Sequence, residues 1–299
     1  MIKYIISIFL PRNTYSIRQR MIALHARIIF NKTLRHRWKH IQSQKMLEHL
    51  VTRARWGVSY SVFDGEELLE SSIKSIRKHV DYINVVYQKS SWYGNPADPK
   101  LPELLKKLKS RGLIDELIEY IPDHKLNAGK QEVLKRNIGL KYAKRFGCDY
   151  FMCMDTDEFY VADEMRKAKK FIIENGITHS FCPVFAYRSP TQRYLRLGGC
   201  YVQFLSRVTL LSRLKRNKHN ITLVDPTRHL NHIFGAKYYV VPGLEMHHMI
   251  CYRKDIIKKM KNSSFVPINN MTQIEFEKSK GPFVNVADMF NIPKLNGTK

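Results

Sequence analysis

Residues 149–160, DYFMCMDTDEFY, decide the fold. Their first half is an apolar run of the kind that forms a buried strand, and it leads directly into Asp155, Thr156, Asp157 and Glu158. Because residues two apart in an extended chain point the same way, Asp155 and Asp157 present both carboxylates on one side of the strand's end. Carboxylates this close together are costly unless a cation neutralises them, and oxygen ligands favour Mn²⁺ or Mg²⁺. The stretch therefore predicts a metal site, with a solvated turn as the alternative.

The chain before this stretch alternates between strands and helices. Strands are predicted at residues 57–63, 82–87, 116–121 and 149–154, and helices between them at 66–79, 101–111 and 130–145. Such alternation predicts an α/β fold whose mostly parallel sheet is flanked by helices. Ligands of such sheets bind at the carboxyl ends of the strands, which is where the paired aspartates lie.

Charge divides the chain into segments. The 51 Lys and Arg exceed the 26 Asp and Glu, which gives a formal net charge of +25. The excess lies in residues 1–56 and 161–262, whereas residues 57–160 are balanced. We therefore predict a basic amphipathic helical arm (1–56), a domain over 57–262 with a neutral half and a basic half, and an extended tail (263–299). The arm either lies on an anionic membrane surface or packs against the domain.

Two stretches resemble a known family. EVLKRNIGL at residues 132–140 lies on a predicted helix, and MDTDEFY at 154–160 ends a predicted strand. Together they resemble the family-2-like, DxD-containing group of GT-A fold glycosyltransferases. The resemblance covers residues 57–160 well and 161–262 loosely, and it does not extend to the arm. It implies a Rossmann-like sheet that binds a nucleotide-sugar, with both DxD aspartates at a divalent cation on the diphosphate.

The resemblance also implies further contacts to the nucleotide-sugar, with Asp155 among them. Many family members have an acidic residue at the end of the second strand, but Gln88 stands there in this sequence, which leaves the base open. Asp64 follows the first strand and either contacts the ribose or base or caps the next helix. Arg136 is expected to reach a phosphate or the base, and its neighbour Lys135 is expected to be a surface charge.

A histidine late in the domain completes the metal shell or meets the phosphates in related enzymes. The pair His247–His248 resembles that element, and an imidazole suits Mn²⁺. Because adjacent side chains on a strand point to opposite faces, only one of the two can bind, and we favour His248.

A catalytic base is sought among the few acids of residues 161–262. An inverting transferase needs a carboxylate that takes the proton of the acceptor hydroxyl, whereas a retaining one does not. Asp225 and Glu245 are the candidates, because the other acids of this half fall on predicted helices. The sequence does not choose between the two mechanisms.

Together these features predict a metal-dependent glycosyltransferase. It would move a sugar from a nucleotide-diphosphate sugar, which the resemblance suggests is UDP-linked, to an anionic, membrane-associated glycan or lipid-linked acceptor of lipopolysaccharide or capsule type. The basic run at 213–219 suits phosphates or lipid headgroups. The alternative is a catalytically inactive, transferase-like protein that binds a membrane or nucleic acid, although no nucleic-acid-binding motif accompanies the charge. A nucleotidyltransferase lacks support because there is no Gly-rich phosphate loop.

The predicted location is the cytoplasmic face of a membrane, with peripheral attachment through the arm. Residues 1–10 are apolar but too short to span a bilayer. Five Asn-x-Ser/Thr sequons point instead to a secretory lumen. The five cysteines are scattered without a CxxC pair, which predicts reduced thiols instead of a zinc site or a disulfide framework.

Overall fold

The computed structural model describes residues 42–187, 194–216, 225–231, 235–263, 276–278 and 290. Most of the predicted arm and most of the predicted tail lie outside these residues. No helix among them combines the length and the apolar character that a membrane span requires.

Helices and strands alternate along the first half of the described chain, as predicted. The helices are α1 (Gln42–Arg53), α2 (Glu66–Ile76), α3 (Leu101–Ser110), α4 (Ala128–Phe146), α5 (Ala162–Glu174) and α6 (Ile256–Asn262). The strands are β1 (Trp56–Val62), β2 (Tyr82–Tyr87), β3 (Glu116–Glu119), β4 (Tyr150–Met154), β5 (Glu158–Phe159), β6 (His179–Tyr187), β7 (Tyr194–Arg207), β8 (Leu214–Lys215), β9 (His229–Leu230), β10 (Tyr238–Val240), β11 (Met246–His248) and β12 (Phe276–Lys278).

The main sheet has the strand order β3-β2-β1-β4-β7-β6-β11-β5. Its first four strands are parallel, whereas β7 runs antiparallel to both β4 and β6, and β11 is again parallel to β6. The predicted α/β class with a helix-flanked sheet is confirmed. The parallel arrangement holds for the first half, and the second half is mixed because β6 and β7 form an antiparallel pair.

Alternation along the central strands divides the apolar side chains between two faces of the sheet. Val58 and Tyr60 of β1 and Met152 of β4 pack with the apolar sides of α2, α3 and α5. Phe151 and Cys153 of β4 pack on the other face with residues of α4 and β8. The carboxyl ends of β1, β2 and β4 therefore open at one edge between helices, as expected of a parallel sheet.

The last part of the predicted arm packs on the domain. Helix α1 lies against α5, and the indole Nε1 of Trp56 donates a hydrogen bond to the carbonyl of Val51, 3.2 Å away. For this segment the structure favours packing on the domain.

In the predicted tail, β12 pairs antiparallel with β7 and so adds to the sheet.

Helix α4 approaches β1 and β2 closely at Gly139. A Cβ atom at this position would lie 1.9 Å from Ser59 Oγ, and the Asn84 side-chain amide already donates to the Gly139 carbonyl at 2.9 Å. The glycine of the KRNIGL stretch is therefore required by packing, since any side chain would push α4 off the sheet.

We expect Gly139→Ala to lower the free energy of unfolding by about 1–3 kcal/mol, the usual cost of overpacking. Gly129→Ala, in the same helix, is the matched control, because its added Cβ has no neighbour closer than 3.4 Å. That control should be neutral or more stable by up to about 1 kcal/mol, since alanine favours helix. Urea unfolding followed by circular dichroism measures both, and equal stabilities would contradict the close packing.

Candidate active site

The site lies at the edge where β1 and β4 end. Asp64 follows β1, and Asp155 and Asp157 follow β4. The Thr156 hydroxyl donates to the Asp64 carbonyl at 3.2 Å, which joins the two strand ends. The N-cap of α2 is Gly65, with no side-chain hydrogen bond, so Asp64 does not cap this helix.

Arg228 holds three carboxylates together inside the protein. Its two terminal nitrogens each donate to one oxygen of Glu158 at 2.6 Å, and Nη2 also donates to Asp155 at 2.8 Å. Its Nε donates to Asp225 at 2.8 Å. The guanidinium is buried, so these charge-assisted bonds form in an environment of low dielectric constant and fix the geometry of the group.

Arg136 of α4 is the second buried guanidinium. Its Nη2 donates to Asp225 at 2.6 Å, to Glu132 at 2.7 Å and to Asp155 at 3.3 Å. The immediate partners of Arg136 are carboxylates at the strand ends, and its contact with a phosphate or the base stays a prediction.

The two arginines set the charge state of Asp155 and Asp225. Burial alone would raise the pKa of both carboxyls, but Arg228 and Arg136 outweigh it and hold each pKa below its ordinary value. Asp225 also accepts hydrogen bonds from the backbone and hydroxyl of Thr227. A carboxylate of lowered pKa with filled acceptor positions is a weak base, so the structure argues against Asp225 as the proton acceptor.

Asp157 turns away from this group and meets a different set of cations. The shared direction that the sequence predicts for the carboxylates of Asp155 and Asp157 is not observed, because residues 156 and 157 form a turn after β4 instead of continuing the extended strand. Its Oδ2 lies 2.9 Å from Arg253 Nε and 3.3 Å from His248 Nε2, and it also contacts the ammonium of Lys259. Arg253 reaches Asp64 as well, at 2.7 Å. Burial would raise the pKa of Asp157, but Arg253, Lys259 and His248 hold it well below the ordinary value.

Asp157 has one oxygen that a divalent cation could bind, while Arg253 and Lys259 already neutralise its carboxylate from the other side. Asp157 Oδ1 is buried and has no hydrogen-bond partner among the described residues, which is an unsatisfied acceptor that a cation would satisfy. A carboxylate with an imidazole suits Mn²⁺. No three His, Cys, Asp or Glu side chains in the described ranges form a metal cluster, so phosphate oxygens and water would have to complete the shell.

The two adjacent histidines face opposite sides of β11, as predicted. His248 faces Asp157, whereas His247 is buried and its Nδ1 lies 2.5 Å from the Tyr187 hydroxyl. Burial lowers the pKa of His247 to about 4, so it stays neutral at neutral pH. Of the two, only His248 is placed beside the DxD stretch.

Gln88 and Lys135 form a buried pair under the site. Lys135 Nζ donates to the carbonyl of Val62 at 2.9 Å and to Gln88 Oε1 at 3.0 Å. The expectation that Lys135 is a surface charge is wrong, because the side chain reaches inward to the polar ends of β1 and β2. Gln88 is fully buried, so its amide supports the wall of the site and has no face open to solvent.

Glu245 lies away from the carboxylates that surround Arg228. It precedes β11, and its backbone N–H donates to Glu164 Oε2 at 3.2 Å, on α5. His248 is three residues further along an extended strand, about 10 Å away at the usual rise per residue. The structure therefore does not bring Glu245 together with the DxD aspartates.

Sequence reasoning missed three of the basic groups that organise the site. Arg228 follows Asp225 in VDPTR, and Arg253 and Lys259 follow the histidine pair. A buried acid cluster requires nearby cations, which is the signal that was available. The sequence did not tell which of its many basic residues provide them.

The comparisons with known proteins found partial similarity. No protein-family model matches the sequence, and a search of curated proteins returned no relative. Among solved structures, S. aureus TarS in complex with UDP is similar at 14% identity and a TM-score of 0.35, over 45% of this chain and 36% of that chain. GalNAc-T7 with UDP, GalNAc and Mn²⁺ is similar at 13% identity and a TM-score of 0.40, over 68% of this chain and 45% of that chain.

This chain thus spans less than half the length of either neighbour. TarS has also been solved with UDP-GlcNAc. At these TM-scores the likeness is partial, and the function proposed below rests on the site itself.

Replacing Arg228 tests the charge network. Arg228→Met leaves buried carboxylates without their main partner, and we expect a loss of about 3–5 kcal/mol in the free energy of unfolding. Arg166→Met is the control, because Arg166 pairs with Asp163 on the exposed side of α5. Surface pairs contribute roughly 0–1 kcal/mol, so the control should change little. Similar losses in both variants, measured by urea unfolding, would refute the central role of Arg228.

The buried ammonium of Lys135 gives a pH signature. Burial lowers the pKa of Lys135 to about 7, and the positive charge of the neighbouring Arg136 is the second cause of this decrease. Between about pH 7 and the ordinary lysine pKa, Lys135 is protonated in the unfolded chain and increasingly neutral in the folded protein. The free energy of unfolding therefore rises with pH across this range. We expect the wild type to gain about 2 kcal/mol relative to Lys135→Met between about pH 7 and 9. Parallel stability profiles of the two proteins would contradict the lowered pKa.

Proposed function

We propose that this protein is a glycosyltransferase that takes a UDP-linked sugar with Mn²⁺ or Mg²⁺. The acceptor is proposed to be an anionic, membrane-associated glycan or lipid-linked molecule of lipopolysaccharide or capsule type. Nucleic acid is not part of the proposal.

One observation carries the proposal: carboxylates and cations that are distant in sequence converge at the carboxyl ends of β1 and β4. Asp64, Asp157 and His248 meet Arg253 and Lys259 there. This edge of a parallel sheet is where ligands bind. A diphosphate with its counter-ion needs both kinds of group at one place.

The chain's own residues divide the tasks. Arg253 and Lys259 are placed to bind phosphate oxygens, since both lie beside the carboxylate of the proposed cation site. Asp157 and His248 are the proposed protein ligands of the cation, and Asp155 would join them only by releasing an arginine contact. The cation would offset the charge that develops on the departing diphosphate.

The nucleoside is proposed to lie against the more open carboxylates. The side chains of Asp64 and Asp155 are 22% and 33% exposed, whereas Asp157 is fully buried. Asp64 and Asp155 can therefore accept hydrogen bonds from ribose hydroxyls or a base without unfolding the site. Arg136 holds Asp155 in place from behind, and Gln88 supports the strand end.

The acceptor class is inferred from charge. Exposed basic residues follow β7 and extend into β8, at Arg213, Lys215 and Arg216, and the sequence continues basic to residue 219. Such a surface attracts phosphorylated glycans or lipid headgroups. Attachment to the cytoplasmic face of a membrane remains part of this proposal, and the choice between inverting and retaining chemistry is left open, because neither proposed base is supported.

Asp157→Asn tests the proposal directly. The change keeps the size of the side chain but removes the charge, and we expect Mn²⁺-dependent hydrolysis of UDP-sugars to fall by about a hundredfold or more. Asp163→Asn, on the exposed first turn of α5, is the matched control and should retain activity. Calorimetric titration of UDP with and without Mn²⁺ accompanies the assay.

A wild-type protein that neither binds UDP with Mn²⁺ nor turns over any UDP-sugar would refute the transferase proposal. The inactive binding protein would then be favoured. Its salt-sensitive affinity for anionic surfaces would survive Asp157→Asn.

A further inference from the structure

A group of exposed apolar residues lies at the ends of the strands opposite to the active site, where β1 and β4 begin. Phe146 ends α4, and Leu210 and Leu211 lie in the turn after β7, with exposed fractions of 40%, 42% and 53%. The two segments are joined by the ammonium of Lys144, which donates to the carbonyl of Leu210 at 3.1 Å and to that of Ser212. These bonds place the leucine turn beside the last turn of α4, where the Phe146 ring stacks on Tyr82 with their centroids 4.5 Å apart.

One exposed arginine contacts Phe146, and two more are its neighbours or those of the leucine turn in sequence. Arg55 donates to the carbonyl of Phe146 at 2.9 Å and its guanidinium lies 5.5 Å from the ring centroid of Phe146. Arg145 is next to Phe146 in sequence, and Arg213 follows the leucine turn. None of these three arginines forms an ion pair with a carboxylate of the described residues. We name Phe146, Leu210 and Leu211, with Arg55, Arg145 and Arg213, the basal patch.

A basic strip connects the basal patch to the active site along α4. Leu214 N–H donates to Asn137 Oδ1 at 2.8 Å, in the middle of the helix. Arg216 lies beside Gly129, in its first turn. The exposed Lys215 and Arg216 thus continue the positive surface along a helix of 19 residues, about 28 Å long. The same helix carries Arg136 of the site.

We propose that the basal patch docks on an anionic lipid surface. Scattered exposed apolar residues are ordinary, but leucines and a phenylalanine accompanied by cations without acidic partners match peripheral membrane binding. The apolar side chains enter the headgroup region, and the arginines pair with lipid phosphates. A nucleic acid is less favoured as the partner, because its binding relies mainly on phosphate contacts, base edges and stacked aromatic rings, none of which the exposed leucine pair provides.

Docking on a membrane would explain why the acceptor is lipid-linked. This part of the inference rests on the proposed function. With α4 along the membrane, the basic strip faces the headgroups from the basal patch to the catalytic edge. A lipid-linked acceptor would then meet the enzyme beside the first half of α4, which carries Arg136. The lipid contact itself does not require catalysis, so it is testable separately.

The test is co-sedimentation of the full chain with phosphatidylcholine vesicles, with and without phosphatidylglycerol. We expect wild-type binding to depend on phosphatidylglycerol. Leu210→Ser/Leu211→Ser should weaken partitioning by about tenfold, and Arg145→Gln/Arg213→Gln should remove roughly tenfold of the preference for anionic vesicles. Ile121→Ser is the matched control, because Ile121 is 81% exposed and follows β3, the outermost strand on one side of the sheet, away from the basal patch. It should bind as the wild type does.

Three outcomes overturn the proposal. In the first, the wild type fails to bind phosphatidylglycerol vesicles. In the second, both double variants bind these vesicles as tightly as the wild type, so that the arm alone is responsible for binding. In the third, light scattering shows that the wild type is a dimer and the leucine variant a monomer. UDP titration of each variant separates this test from the proposed function, since loss of vesicle binding with retained UDP binding supports docking alone. If circular dichroism shows that the leucine variant is unfolded, the arginine variant decides.

Discussion

Charge compensation in a buried environment governs the arrangement of this site. Asp155, Glu158 and Asp225 surround the guanidinium of Arg228, and Arg136 adds a second cation against Asp155 and Asp225. Removing these charges from water is costly, and the cost is offset only if every partner is present with good geometry. The network therefore ties β4, α4 and the segment before β9 into one unit. The tip of β4 is held rigid from behind, while Asp157 projects toward the other cations.

Two aspartates separated by one residue acquire different roles from their partners. Asp155 is held by arginines that belong to the structural network and remains partly exposed. Asp157 is fully buried and meets Arg253, Lys259 and His248, with one oxygen left without a partner among the described residues. Position along the strand does not distinguish them, because both side chains leave the same end of β4. The distinction comes from what packs against each, and it makes Asp157 the centre of the proposed chemistry.

The sheet separates two surfaces that the proposals assign to different partners. The nucleotide is placed where β1 and β4 end, and the lipid surface is placed where these strands begin. Helix α4 links them, because its first half carries Glu132, Lys135 and Arg136 and its last turn carries Arg145 and Phe146 of the basal patch. Gly139 sets the contact of this helix with β1, so the spacing between the two surfaces depends on a position where no side chain fits.

The amino-acid sequence is sufficient to predict the order of strands and helices in the first half, the position of Asp155 and Asp157 at the end of β4 and the opposite orientation of the two histidines. These features are local, because they follow from apolar periodicity and from the alternation of side chains along a strand. Three other features follow only from the folded chain: Lys135 is buried, Asp225 is bound by two arginines and Glu245 lies away from the site. Those outcomes depend on contacts between residues far apart in sequence, such as 135 with 62 and 88, 225 with 136, and 245 with 164, which only the tertiary fold brings together. Local patterns carry no information about such distances, since a basic residue that neutralises a buried acid looks the same in sequence as one that stays in water.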